Sequence, residues 1–148
     1  FDAFCGGAID TGTAYRTEDF EGVCLWHPPG EGPDEERFAT ALQDLARPDS
    51  LESILQVFEL MEQHHPDVEC WYLPVIGVDP IHQGRGLGAT LLKHTLREVD
   101  AAGLPAYLES SNLRNVPLYE RHGFEVTGRI QVGDSPVMTA MYRAARSA

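Results

Sequence analysis

Val78-Asp-Pro-Ile-His-Gln83-Gly84-Arg85-Gly86-Leu87-Gly88 joins two unlike segments, and its reading decides the fold. Before it, Cys70-Trp-Tyr-Leu-Pro74-Val-Ile-Gly-Val78 is apolar and β-branched, a buried strand interrupted at Pro74. Proline cannot donate to a ladder, so a bulge or a departing strand is expected there. After it, Leu87, Leu91, Leu92, Thr95, Leu96 and Val99 recur at helical spacing from Gly86 to about Ala102, with Gly103 as the stop. Glycines at alternate positions between strand and helix let backbone N–H groups converge on an anion, and the helix N-terminus adds its positive dipole end. By mechanism this is a pyrophosphate cradle. No GxxxxGK[ST] string occurs, and the turn is GxGxG where a dinucleotide fingerprint needs GxGxxG.

Outward from this turn, residues 12–17 and 21–26 predict a hairpin around Glu18-Asp19, ended by His27-Pro-Pro-Gly30. Pro33-Asp-Glu-Glu36 opens a helix carrying Phe38, Leu42 and Leu45, which Pro48 ends. Asp49 or Ser50 caps a second helix, whose stripe of Leu51, Ile54, Leu55, Phe58 and Met61 reads as core. His64-His65-Pro66 ends it, and the paired histidines read as a solvated helix end rather than a metal site. Ala106–Glu109 is a short strand, and Val116–His122 a short helix with Pro117 in its first turn and Gly123 beyond its end. Residues 124–132 and 136–143 are closing strands around Gly133-Asp134. The order β-β-α-α-β-α-β-α-β-β is an α/β or α+β layer fold.

The 148 residues, 43% apolar and 23% charged, suit a single domain, 1–148. Against 11 Lys+Arg stand 23 Asp+Glu, a net charge of −12 that argues against nucleic-acid and anionic-membrane partners. The charge is lopsided. Residues 1–70 hold 16 acids against Arg16, Arg37 and Arg47, whereas residues 71–148 hold 7 acids against 8 bases. Cys5, Cys24 and Cys70 are odd in number with no CxxC spacing, which points to a reducing cytoplasm rather than to disulfides or zinc. No apolar run reaches the ~18 residues of a membrane span. The chain opens FDAFCGGAID, without Met or signal peptide, and is expected to start inside a longer one.

Gln83-Gly-Arg-Gly-Leu-Gly88 resembles the Q/R-x-x-G-x-G/A coenzyme A signature of the GNAT superfamily of N-acetyltransferases. Asn112-Leu-Arg-Asn115-Val-Pro-Leu-Tyr119-Glu-Arg-His-Gly123-Phe124 is similar to that family's N-x-x-A/N-x-x-L-Y-x-x-x-G-F segment. More narrowly, Trp71-Tyr-Leu, Leu108-Glu-Ser-Ser111, Asn115-Val-Pro and Tyr119-Glu-Arg-His-Gly-Phe124 look like the puromycin N-acetyltransferase branch, as does Leu25-Trp26 before Pro29. The resemblance implies a mixed, mostly antiparallel sheet with helices on both faces. The sheet splays between the family's strands four and five, here 71–78 and 105–110. A further N-terminal strand and one or two helices normally wall the acceptor pocket; nothing before residue 12 supplies them, so they are expected to be missing.

The resemblance also implies roles. Residues 71–148 form the acetyl-CoA-binding half and 1–70 the acceptor side. Gln83, Gly84, Arg85, Gly86, Leu87 and Gly88 hold the pyrophosphate. Pantetheine pairs with backbone near Ile76 and Val78, and the Val78 N–H polarises the thioester carbonyl. Asn112 or Asn115 holds the pantetheine arm, either being equally readable as a helix cap. Tyr119 protonates the departing thiolate, and Glu109, or failing it Glu21, takes the proton of the amine. Acetyl-CoA is the cosubstrate, no metal is called for, and the acceptor is a small primary amine. A homodimer is left open. The competing readings are a coenzyme A-binding sensor without acceptor activity and a generic dinucleotide enzyme.

Overall fold

The first strands, β1 (Ala14–Arg16) and β2 (Gly22–His27), form the expected hairpin, with Ala14 facing Leu25 and Arg16 facing Val23. The structure, a computed structural model, describes residues 2–146. Ahead of the hairpin, where no element was expected, lie two helical turns, α1 (Asp2–Cys5) and α2 (Gly7–Asp10). Four residues are too few to display a helical period. Tertiary burial makes these turns, since Cys5 and Ala8 are sealed against Leu25 of β2.

Next come α3 (Glu35–Leu45) and α4 (Pro48–His64). Asp34 caps α3 by accepting from the Arg37 N–H at 3.0 Å. Pro48 does not merely stop α3. It stands at the first position of α4, where its fixed φ and absent N–H cost nothing, so Arg47 takes the cap position expected of Asp49 or Ser50. Of the stripe of Leu51, Ile54, Leu55, Phe58 and Met61, Met61 packs on the core beside Val57 and Leu60, but α4 has no fully buried residue and Leu55 is 52% exposed.

The chain then runs through β3 (Trp71–Val78), α5 (Leu87–Ala102), β4 (Ala106–Ser110), α6 (Val116–Arg121), β5 (Glu125–Ile130) and β6 (Met138–Arg143), in the expected order. The six strands lie in the order β1-β2-β3-β4-β6-β5, antiparallel throughout except between β3 and β4. On one face, Leu92, Leu96 and Val99 of α5 and Tyr119 of α6 pack on Trp26, Leu73, Leu108 and Met141. On the other, Val57 and Leu60 of α4 pack on Tyr107, Ile130 and Ala140. This is the open, mostly antiparallel sheet with helices on both faces that the resemblance implied. No described helix is long and apolar enough to cross a membrane.

The parallel contact is short. Trp71 pairs with Ala106 and Tyr72 with Tyr107, and there the register of β3 with β4 ends. Leu73 and Ile76, three residues apart, both pack toward α5, so the two-residue alternation slips between them. The β2–β3 register slips at the same level, between Leu25 and His27. Pro74 therefore sits in a bulge, and β3 leaves β4 immediately beyond Tyr72.

One buried cation holds the closing strand to the helices. Arg143, 2% exposed, donates Nη1 and Nη2 to the Asp100 carboxylate at 2.6 and 2.9 Å and Nε to the His122 carbonyl at 2.9 Å. Arg143→Ala strands a carboxylate and a carbonyl at once, and is expected to cost about 3 kcal/mol or more. Urea unfolding reads this as a lower midpoint at unchanged slope; an unmoved midpoint would show that the clamp adds nothing.

Candidate active site

Beyond β3, Asp79 Oδ1 accepts from the Ile81 N–H at 3.0 Å and closes a single helical turn, Pro80–His82. Gly84 and Gly86 follow with φ 76 and 79, backbone that an L side chain adopts only with strain. A Cβ at either would meet nothing within 4 Å, so the turn faces open space. Gly86 occupies the cap position of α5 with no side-chain cap, and the first N–H groups of a helix lack intrahelical acceptors. Gly84, Gly86, Leu87 and Gly88 thus present backbone donors around one helix N-terminus, the arrangement expected of an anion cradle.

Two side chains of the turn behave differently from expectation. Gln83 Nε2 donates inward to the Val78 carbonyl at 3.1 Å, tying the turn to the end of β3. Arg85 donates to the Glu21 carboxylate at 2.9 Å, with His82 Nδ1 2.7 Å from the same guanidinium nitrogen. Glu21 is therefore committed to this cluster, and it does not line the cavity described below.

The edge of β3 left bare by the splay carries donors. Asp79 N–H bonds the Glu21 carbonyl of the β2 side at 2.8 Å. Alternation along the strand then turns the N–H groups of Val78 and Ile76 away from β2, into the gap toward β4. Beside the gap, Asn112 Oδ1 accepts from the Arg114 N–H at 3.0 Å, so Asn112 serves as a cap. Asn115, at the cap position of α6, makes no side-chain cap bond and is exposed.

Tyr119 stands on the α5 face. Its ring is 4% exposed and edge-on to Phe124 at 6.1 Å, in one cluster with Cys24, whose strand partner is Ile76. Burial, aided by the neighbouring Cys24 thiol, pushes the phenol up to about 12, so it keeps its proton at neutral pH.

The opposite face holds a cavity of about 770 Å³, between α3, α4 and the sheet. Its apolar walls are Phe38, Leu42, Leu51, Leu55, Phe58 and Met61, the last four being four of the five stripe residues expected in the core. Glu109 lies on its sheet side, and its Oε2 accepts from the Tyr72 hydroxyl at 2.7 Å. Burial raises the Glu109 carboxyl above the usual range, while the Tyr72 bond and the His64 charge pull it partly back.

The histidine pair ends α4 as expected, with His65 exposed, and both rings also make contacts. His65 sets its ring edge-on to Tyr107 at 4.8 Å and Tyr72 at 5.5 Å, with Nε2 3.7 Å from Cys70 Sγ. His64 donates Nδ1–H to the Leu60 carbonyl at 2.8 Å and lays its ring on Gly128, where a Cβ would collide with it. Sequence reading missed Tyr72, His64 and His65 as site residues. Signals existed: Tyr72 pairs with Tyr107, two residues before Glu109, and Gly128 interrupts a strand. Glu109 and Tyr119 thus lie on opposite faces of the sheet, with the bare edge of Ile76 and Val78 between them.

Comparison with known proteins agrees with this architecture. The chain is 31% identical over 130 residues to an uncharacterised N-acetyltransferase of Schizosaccharomyces pombe, covering 78% of this chain and 52% of that protein. A mycothiol acetyltransferase of Mycobacterium sp. strain JLS is 37% identical over 117 residues, covering 69% of this chain and 38% of its own. The chain thus spans about half or less of these relatives' length. A Corynebacterium glutamicum structure described as histone acetyltransferase HPA2 and related acetyltransferase superposes with TM-score 0.61 at 25% identity, covering 91% and 64% of the two chains. A mosquito arylalkylamine N-acetyltransferase-like structure, at 18% identity and TM-score 0.67, covers 94% and 77% and shares the fold. The sequence model of the acetyltransferase (GNAT) family matches residues 33–124, and the chain belongs to that family.

Proposed function

We propose that the protein transfers the acetyl group of acetyl-CoA to the primary amine of a small molecule, by direct attack in a ternary complex. The observation that carries this reading is the parting of β3 from β4 past Tyr72, with a glycine turn at the far end of β3 and a carboxylate-bearing cavity beside Tyr72 and Glu109. Residues 71–148 take acetyl-CoA: Gly84 to Gly88 hold the pyrophosphate by backbone N–H groups, Gln83 braces them, Arg85 adds charge, and Asn115 rather than the cap Asn112 takes the pantetheine arm. The N–H groups of Ile76 and Val78 pair with that arm, and the Val78 donor polarises the thioester carbonyl. Residues 1–70 supply the helices of the acceptor side. Within the family we place the chain near the puromycin N-acetyltransferase branch, on Leu108-Glu-Ser-Ser111 and Tyr119-Glu-Arg-His-Gly-Phe124. Three free thiols suit a reducing cytoplasm.

The chemistry balances. Glu109 takes a proton from the bound ammonium, the freed amine attacks the thioester carbon, and a C–N bond forms as the C–S bond breaks. The tetrahedral oxygen leans on the Val78 N–H, and Tyr119 gives the thiolate its proton. The second proton, shed by the cationic nitrogen as the amide forms, passes through solvent to restore the Tyr119 phenol, while Glu109 returns the first to water. Thiol release from acetyl-CoA with a panel of primary amines tests the reading; coenzyme A binding without release would leave a binding module.

Tyr119→Phe keeps the buried ring and removes the donor. It is expected to lower kcat about a hundredfold while the KM for acetyl-CoA stays within about threefold. Wild-type turnover in that variant would remove Tyr119 from the step.

Glu109 acts only when deprotonated, and its raised pKa means that it holds its proton to higher pH than an ordinary carboxyl at about 4.3. Activity from this group therefore appears as pH climbs through the raised value. Glu109→Gln should lower kcat/KM and abolish that limb, leaving the amine's own ionisation. Tyr72→Phe removes a donor that favours the carboxylate, so it should move the limb further up. A limb that ignores both variants would assign the base elsewhere.

A further inference from the structure

The acetyltransfer reading leaves the acceptor open, and the cavity narrows it. An amphipathic helix normally spends its apolar stripe on the core, yet neither α3 nor α4 has a fully buried residue. On α4, Val57, Leu60 and Met61 pack on the core, whereas Leu51, Leu55 and Phe58, with Phe38 and Leu42 of α3, face the cavity, Phe38 and Phe58 set edge to face at 5.1 Å. A wall so built rewards an apolar body, aromatic above all.

The charges are as selective. Glu31, Glu35, Glu62, Asp67, Glu69 and Glu109 line the cavity, and among the described residues no Lys or Arg does. Five of these are exposed; Glu109 alone is drawn out of water, with Tyr72 on its oxygen. Exposed carboxylates are screened and hold a cation weakly, whereas a half-buried one beside an apolar wall favours one cation at one place. Along the wall of Phe38, Leu51, Leu55 and Phe58 a sugar would leave its hydroxyls unpaired.

We infer that the acceptor is an aromatic or bulky aliphatic monoamine, its ammonium at Glu109 and its apolar body between α3 and α4. This rests on the acetyltransfer reading, and two readouts separate them. By thiol release, kcat/KM for 2-phenylethylamine should exceed that for 1,4-diaminobutane and for glucosamine by about tenfold or more. Phe58→Ala should lower the 2-phenylethylamine value at least about tenfold and the diamine value by less, with Phe58→Leu in between. Equal or better use of the diamine or the sugar would overturn the inference while leaving acetyl transfer intact. So would a Phe58→Ala variant, folded by circular dichroism, that changes nothing, since another segment of chain would then cover the stripe. Calorimetric binding of the same amines with coenzyme A present is the second readout. Should no amine release thiol, the catalytic reading fails, and preferential binding of 2-phenylethylamine still decides the seat.

Discussion

Pro74 has no N–H to give a neighbouring strand, and the sheet is arranged around that deficit. A proline inside a central strand is tolerated only where the ladder is already broken. Here the break takes the form of a bulge, which adds one residue to β3 and turns over every side chain after it. Leu73 and Ile76 come to share the α5 face, and the register with β4 stops at Tyr72. The missing donor thus falls where β3 parts from β4, and the edge donors of Ile76 and Val78 are left free of the ladder.

Such a gap weakens the sheet at its centre, and the surroundings compensate. β2 and β3 stay registered from Gly22–Val78 to Leu25–Val75, and β4 pairs with β6 over its whole length. α5 bridges the halves: Leu91 and Leu92 share one cluster with Trp26 of β2 and with Leu108 and Met141 across the gap. The Arg143–Asp100 clamp fixes the end of that same helix to β6. The strands can part because the helix behind them does not.

The order of ten elements, the bulge at Pro74, the glycine turn and the tyrosine helix were legible in the sequence, because each is written in local chemistry: a missing donor, a positive φ, an apolar period. What was not legible depends on which neighbour arrives. α1 and α2 are single turns made by burial against Leu25, with no period of their own. The α4 stripe has the spacing of a core face, and spacing cannot distinguish a face pressed on protein from one bordering a cavity. The histidine pair looked polar and terminal. It is seated by an aromatic platform from two other strands and by the side chain that Gly128 lacks.

The lopsided charge acquires a local meaning at the two ends of the gap. On the cavity side the carboxylates stand without a basic partner in the lining, so an approaching ammonium meets uncompensated negative potential. On the cradle side the basic residue is compensated, since Arg85 already holds Glu21. In that pair Arg85 is 57% exposed and Glu21 17% exposed, so water screens the guanidinium far more than the carboxylate. The lasting attraction for an anion therefore comes from groups that cannot be neutralised, the N–H donors of a glycine turn fixed at the head of a 16-residue helix. Glu21 keeps Arg85 beside that turn, so the acidic half of the chain supplies the partner of a basic side chain in the other half.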